Sequence, residues 1–170
     1  FSQVVSTCTQ LEADGIPTGA ISSAAVKADM AKLRQMSEAD AHKRSGDEFM
    51  GQGDLGSALR VYDEALDLLP CHVGCLSNRS ACKMSMGDTQ GCIDDCTAAL
   101  ELLQLGTDTD TTIGGAGAID LLSSVLPPPG SETRLKWVVK TVIRLGAAYA
   151  SLGVLDAAVA DYTTGSSLDP

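Results

Sequence analysis

Hydrophobic and small residues recur along this chain with the spacing of helix faces. In residues 74–87, for example, most positions form one buried helical face, which carries Leu76, Ala81, Cys82, Met84 and Met86. The same criterion predicts helices over residues 38–51 and 54–69, 72–86 and 88–104, and 132–152 and 154–168. Glycine-containing turns at 53–54, 87–88 and 153–154 separate the two helices of each pair. The pattern predicts an all-α protein built from helical hairpins.

The hairpins share a sequence repeat of small, aromatic and proline positions. The first hairpin carries Gly46, Phe49, Ala58, Tyr62, Ala65 and Pro70, and the third carries Gly146, Tyr149, Ala158, Tyr162, Gly165 and Pro170. The second keeps the small residues as Ser80, Cys92, Cys96 and Ala99, but has Lys83 and Gln104 at the aromatic and proline positions. These offsets match the 34-residue tetratricopeptide repeat, in which small residues allow two antiparallel helices to approach closely. We therefore expect a tetratricopeptide-repeat superhelix of three repeats.

The repeats divide the chain into a linker region and a repeat domain. We expect the repeats at about 38–71, 72–105 and 132–170, with a flexible Gly-, Thr- and Pro-rich insertion at about 106–131. Residues 1–37 are interpreted as a linker, about 1–19, followed by an extra helix over 20–36 that packs on the open end of the array. The sequence SEAD from Ser37 resembles a capping box and predicts that the first repeat helix begins there.

Composition and charge narrow the possible functions. A net charge of −10 argues against general binding to nucleic acid or to an anionic membrane, and we expect neither partner. No apolar run approaches the roughly 20 residues of a membrane span. The chain begins at Phe1 without a leader pattern, so we expect a fragment or a processed chain.

Catalytic and metal-binding patterns are weak in this sequence. The six cysteines lack the paired CxxC spacing of zinc sites, and we expect small buried hydrophobic residues, with metal binding or disulfides as the alternative. Residues 108–112 begin like a calcium loop, but Ile113 takes the place of the required turn glycine. We expect no enzyme activity, no cofactor and no metal.

Polar residues on the first helix of each repeat point to a binding groove instead. Lys43 and Asp47 lie one turn apart in the first repeat, as do Lys140 and Arg144 in the third, and Asn78 has the same repeat position as Arg144. First helices line the concave surface of such superhelices, where peptides dock. These five side chains are therefore predicted to converge on one groove and to bind a peptide.

The constellation resembles the carboxylate clamp of tetratricopeptide co-chaperones. The match covers Lys43, Asn78, Lys140 and Arg144, and the stretch SNRSA is similar to that family. The resemblance implies binding of the Glu-Glu-Val-Asp tail of heat-shock chaperones of the Hsp70 and Hsp90 type, held by charge-assisted hydrogen bonds to its carboxylates. Asp47 departs from the family, which has Asn at this position. The difference matters because an ionised carboxylate cannot donate a hydrogen bond to the ligand, whereas an amide can. Three outcomes are open: a weakened clamp, a shifted peptide, or an Asp47 neutralised by pairing with Lys43.

A finer resemblance concerns the order of the segments CTAALELL, RLKWVVKTVIRLGAAYASLG and AVADYTTGSSLDP around an irregular spacer. It is similar to the C-terminal repeat domain of the dynein axonemal assembly factor 4 family, although that family has a shorter spacer. The resemblance implies a cytoplasmic adapter that brings chaperones to dynein chains during assembly of ciliary dynein arms. The alternative is a structural scaffold that binds a partner helix or self-associates through the uncovered last repeat.

Overall fold

The computed structural model describes residues 23–104 and 126–168, together with Ser6 and Gln10. The two continuous stretches form six helices and no strand, in the order α1 (Ser23–Gln52), α2 (Leu55–Leu68), α3 (Val73–Ser85), α4 (Thr89–Gln104), α5 (Glu132–Ser151) and α6 (Leu155–Leu168). Except at the start of α1, their ends lie within a residue or so of the bounds predicted from the sequence. The prediction of an all-α fold is confirmed.

Local signals at the helix ends explain these bounds. The Asp54 carboxylate accepts a hydrogen bond from the Ser57 backbone N–H at the start of α2, and the Ser131 hydroxyl caps α5 in the same way. His72 caps α3, because its Nδ1 accepts from the backbone N–H of Cys75. Inside the hairpins the turns use Gly53, Gly87 and Gly153 at φ of 79°, 82° and 75°, a region that favours glycine.

The six helices stack in chain order as three hairpins. Each helix packs against the next one along the chain, and α1 also contacts α3 while α3 contacts α5. The first helices of the three hairpins are thus adjacent and form one continuous surface. Within the ranges that the structure covers, every helix is too short or too polar to cross a membrane.

The repeat positions form the core, as predicted. Ala58, Tyr62, Cys92 and Cys96 are completely buried, and Ala158 is almost so. At Gly46 an added Cβ would lie 2.5 Å from Cε1 of Tyr62, which explains why the repeat needs a glycine there.

The third hairpin is covered less well than the first two. Tyr162 was expected to fill the space beside Ala158, but its side chain is 42% exposed. Its ring packs near Gly146 on one side, and among the described residues no further helix packs on the other face of α6.

The N-terminal region differs from the prediction. A single helix, α1, runs through Ser37, so the expected break between an extra helix and the first repeat is wrong. Residues 27–45 contain no Gly or Pro and many good helix formers, which outweigh the capping signal at Ser37. Leu33 is 58% exposed and is therefore not packed on the array as expected. The linker predicted at 1–19 lies outside the described residues except at Ser6 and Gln10, which are helical.

The described cysteines agree with the prediction that they are small buried hydrophobic residues. Cys75, Cys82, Cys92 and Cys96 are fully buried in the core, Cys71 is half-buried, and none of these five forms a disulfide. In the described part of the chain, no cluster of potential ligands could hold a metal ion. Cys8 lies outside the described residues.

The insertion predicted at 106–131 lies outside the described residues up to position 125, but both of its flanks are fixed by Arg134. This buried guanidinium donates to the carbonyl oxygen of Leu103, at 2.9 Å from Nε, and to that of Pro127, at 3.0 Å from Nη1. Leu103 lies in the last turn of α4, where carbonyl groups have no partner within the helix. Arg134 thereby joins the end of α4 to the chain that leads into α5.

A second, partly buried cation joins the helices around the middle hairpin. Arg79 on α3 makes two hydrogen bonds to Asp95 on α4, of 2.9 Å and 2.6 Å, and a third of 2.7 Å to Asp63 on α2. Lys83 lies 3.1 Å from the same Asp95 carboxylate, which is almost completely buried. Arg79 therefore has a structural role and points away from the surface on which Asn78 lies.

Candidate functional site: a basic groove on the first helices

Asp47 is the hydrogen-bonding centre of the surface formed by α1, α3 and α5. Its Oδ2 forms an ion pair of 2.7 Å with Nζ of Lys43, one turn earlier on α1. Its Oδ1 accepts from Nδ2 of Asn78 on α3 and from the hydroxyl of Tyr62 on α2, both at 2.7 Å. One carboxylate thus joins the first three helices of the array.

These contacts explain the ionisation of Asp47. Burial alone would raise its pKa, but the hydrogen bonds from Lys43, Tyr62 and Asn78 and the charge of Lys43 outweigh burial and lower the pKa below its usual value. Burial raises the pKa of Tyr62, and the neighbouring Asp47 carboxylate raises it further. At neutral pH the pair is therefore an ionised carboxylate with a neutral phenol as its donor.

Arg144 reaches from α5 to α3. Its Nη1 donates to the carbonyl oxygen of Ser77 and to the hydroxyl oxygens of Ser77 and Ser80, the last two at 3.2 Å and 3.0 Å. These contacts hold the Arg144 guanidinium against α3, the helix that carries Asn78. Nε and Nη2 of Arg144 make no hydrogen bond with the described residues, so the three N–H groups on these two nitrogens remain available.

Of the three cations predicted to bind a peptide, Lys140 is the most exposed. Partial burial lowers its pKa, the positive charges of Arg144 and Lys43 lower it further, and the charge of Asp47 opposes them. Lys140 lies one turn before Arg144 on α5, and both side chains line the same cavity. Among the residues that the structure describes, none forms a hydrogen bond or ion pair with Lys140.

All five residues predicted as a peptide-binding site therefore lie on one surface, which we call the basic groove: Lys43, Asp47, Asn78, Lys140 and Arg144. Of the three outcomes considered for Asp47, its pairing with Lys43 is present. Sequence reasoning missed Tyr62, Ser77 and Ser80 as polar partners of these residues. A buried tyrosine hydroxyl needs a hydrogen-bond partner, so the burial predicted for Tyr62 by its repeat position was the one available signal.

An apolar groove adjoins the cationic end of this surface. It has a volume of about 930 Å³ and is lined by Lys140 and Arg144, by Glu132 and Lys136, and by the apolar side chains of Leu135, Val139, Ile143, Ala147 and Leu168. Ile143 is 46% exposed and Leu135 is 37% exposed, so this apolar surface is open to solvent. The arrangement can hold an apolar side chain next to a carboxylate.

Comparison with known proteins supports the fold. No family model matches the chain. The chain is 34% identical to stress-induced-phosphoprotein 1 of Caenorhabditis elegans over 64 residues, which cover 38% of the chain and 20% of that protein. It is 35% identical to sperm-associated antigen 1A of Danio rerio, covering 35% of the chain and 16% of that protein. It is 36% identical to tetratricopeptide repeat protein 36 of Danio rerio, covering 29% of the chain and 27% of that protein. The matched segments therefore span about a quarter or less of these relatives.

Solved structures resemble the chain over most of its length. The second tetratricopeptide domain of Spaghetti (RPAP3), bound to the HSP90 peptide SRMEEVD, superimposes with a TM-score of 0.59 at 21% identity and covers 82% of this chain and 99% of that one. The N-terminal domain of stress-induced protein-1 from C. elegans gives a TM-score of 0.57 at 22% identity, and the match covers 79% of this chain and 87% of that one. The Arabidopsis OM64 tetratricopeptide domain also gives a TM-score of 0.57 at 22% identity, and the match covers 80% of this chain and 86% of that one. The fold is thus that of an all-α tetratricopeptide-repeat superhelix.

Proposed function

We propose that this chain is a protein-interaction module that binds acidic peptides in its basic groove, and that its ligand is the C-terminal tail of heat-shock chaperones of the Hsp70 and Hsp90 type. On this proposal it acts as a co-chaperone adapter and not as an enzyme. The observation that carries the proposal is that cations from α1 (Lys43) and α5 (Lys140 and Arg144) flank α3 in a chain whose net charge is −10. A local group of cations in an acidic protein favours an anionic partner.

The apolar groove favours the same class of ligand. A Glu-Glu-Val-Asp tail would place a carboxylate near Lys140 and Arg144, and its valine over the apolar side chains of Val139 and Ile143. The likeness to a repeat domain that binds an HSP90 peptide supports this choice of ligand.

Titration with the fluorescently labelled peptide SRMEEVD tests the proposal. We expect a Kd in the micromolar range, on the order of that of short peptides on preformed grooves, which weakens as salt is added. The Lys140→Ala variant should lose about tenfold in affinity, because a charge-assisted hydrogen bond contributes on the order of 1.5 kcal/mol or more. Lys140 is exposed and without a partner among the described residues, so its removal should leave the fold intact.

Lys27→Ala is the matched control, because Lys27 is also an exposed lysine but lies about four turns before Lys43 on α1. It should bind the peptide like the wild type. Equal affinity for the Lys140→Ala and Lys27→Ala variants would contradict a role for the basic groove.

The place of this adapter in the cell is a further part of the proposal. We propose a cytoplasmic protein that brings chaperones to dynein chains during preassembly of axonemal dynein arms, as implied by the segment order around the insertion. Co-precipitation of dynein heavy chains from ciliated cells, with and without the chaperone tail as a competitor, tests this step. Dynein capture that the competitor leaves unchanged would separate client binding from the basic groove.

A second candidate function is self-association through the third hairpin. Four apolar side chains there are between 45% and 65% exposed: Leu152, Val154, Leu155 and Val159. Such a cluster favours a protein contact. Sedimentation equilibrium over a range of concentrations should give a dimer that Leu155→Glu abolishes; a monomer at every concentration excludes this function.

A further inference from the structure

We propose that Asp47 is a built-in anion that occupies the Lys43–Asn78 half of the basic groove, so that the groove binds its ligand through a single carboxylate at Lys140 and Arg144. The ligand class is therefore an acidic peptide with one carboxylate next to an apolar side chain, and this carboxylate need not belong to a chain end. This inference rests on the proposed function and concerns the selectivity of the same site.

The geometry around Asp47 is that of a bound carboxylate. Both of its oxygen atoms are engaged, Oδ2 by Lys43 and Oδ1 by Asn78 and Tyr62, at 2.7 Å in each case. Short bonds of this kind to an ionised acceptor are the contacts that Lys and Asn would otherwise make to an incoming carboxylate. Lys43 and Asn78 thus each donate a hydrogen bond to Asp47 within the folded chain, and the charge of Asp47 faces any carboxylate that approaches them.

Tyr62 makes Asp47 difficult to displace. Its ring is completely buried, and its hydroxyl finds its acceptor in Oδ1 of Asp47. A ligand that expelled Asp47 would leave this buried hydroxyl without an acceptor, which is unfavourable. It would also bring a second carboxylate close to that of Asp47, and two like charges at short range repel.

The other half of the groove remains open to a ligand. Lys140 is exposed and has no partner among the described residues, and Arg144 engages only its Nη1. One carboxylate can accept from Lys140 and from the remaining donors of Arg144, while the neighbouring side chain contacts Val139 and Ile143. A terminal aspartate offers two carboxylates, and only one of them has a place here.

The Asp47→Asn variant changes this half of the groove with little change in shape. The amide oxygen can still accept from Asn78 and Tyr62, because it replaces Oδ1. The amide nitrogen replaces Oδ2, so Lys43 loses its partner and the groove gains a donor. The variant should therefore accept the second carboxylate that the wild type repels.

The experiment compares SRMEEVD with a free C-terminus and the same peptide with a C-terminal amide, by isothermal titration. The wild type should bind the two forms with Kd values within about twofold, since the charge of Asp47 offsets the attraction of Lys43 for the terminal carboxylate. Asp47→Asn should bind the free acid on the order of tenfold more tightly than the amide, the effect of one charge-assisted contact. Glu48→Gln is the control, because Glu48 is exposed and directly follows Asp47 on α1, and its substitution removes the same charge. This variant should behave like the wild type.

The outcomes separate the two proposals. If the wild type discriminates against the amide as strongly as Asp47→Asn does, Asp47 is not a built-in anion, although the proposed function stands. The built-in anion is equally refuted if Asp47→Asn and Glu48→Gln change binding to the same extent, since the effect is then one of net charge. If neither peptide binds to the wild type or to Asp47→Asn, the proposed function itself is refuted, and this inference with it.

Discussion

Removal of the Asp95 carboxylate tests whether the buried ion pair of the middle hairpin is needed for stability. Asp95 is 4% exposed and faces Arg79 and Lys83, whose side chains are 19% and 18% exposed. Arg79 also binds Asp63, a carboxylate that is 51% exposed. One guanidinium therefore holds a buried and an exposed carboxylate, which serve as a matched pair.

We expect Asp95→Ala to lower the free energy of unfolding by about 3 kcal/mol. Breaking a buried ion pair typically costs about 3–5 kcal/mol because the remaining charge is left uncompensated. The lower end applies here, since Arg79 keeps Asp63 and both cations reach water. Asp63→Ala should cost less than about 1 kcal/mol, as exposed pairs do.

Urea unfolding followed by far-ultraviolet circular dichroism measures both values on the same chain. A loss below about 1 kcal/mol for Asp95→Ala would show that desolvation of the ions cancels their attraction. Equal losses for the two variants would show that burial does not decide the strength of these pairs. Either result would refute the reasoning.

Three further predictions concern single side chains. Gly46→Ala should cost about 2 kcal/mol through overpacking against the buried Tyr62 ring, whereas Gly51→Ala, with open space around it, should gain up to about 1 kcal/mol in urea unfolding; equal effects would contradict the clash. Because the folded-state pKa of Asp47 is depressed, its ionised form stabilises the protein at neutral pH, and this contribution disappears as the pH falls below about 4. The stability curves of the wild type and Asp47→Asn should therefore converge in acid, and a constant difference would contradict this. Arg134→Met should cost about 2–3 kcal/mol in the same assay, because buried carbonyl groups lose their donor; a loss within error would make this contact dispensable.

The repeat period explains how much of the fold could be predicted. Positions such as Ala58 and Cys92 are set by the distance between two helix axes, so one sequence offset fixes their burial in every repeat. The convergence of Lys43, Asn78, Lys140 and Arg144 follows from the same period, because equivalent positions of stacked hairpins face the same side.

The partners of these residues could not be predicted in this way. Asp47 meets Tyr62, 15 positions away on another helix, and Arg79 meets Asp95, 16 positions away. Such pairs depend on side-chain rotamers, which are chosen by local packing and charge. The start of helix α1 was misplaced for a related reason: a capping signal at Ser37 acts only where a helix begins, and the residues around Ser37 favour continuation of the helix.

The contacts of Arg134 have a consequence for evolution and for protein engineering. Because this one side chain holds both the end of α4 and the entry to α5, a substitution at position 134 would remove both contacts at once, so neither natural variation nor design can change one at this residue without the other.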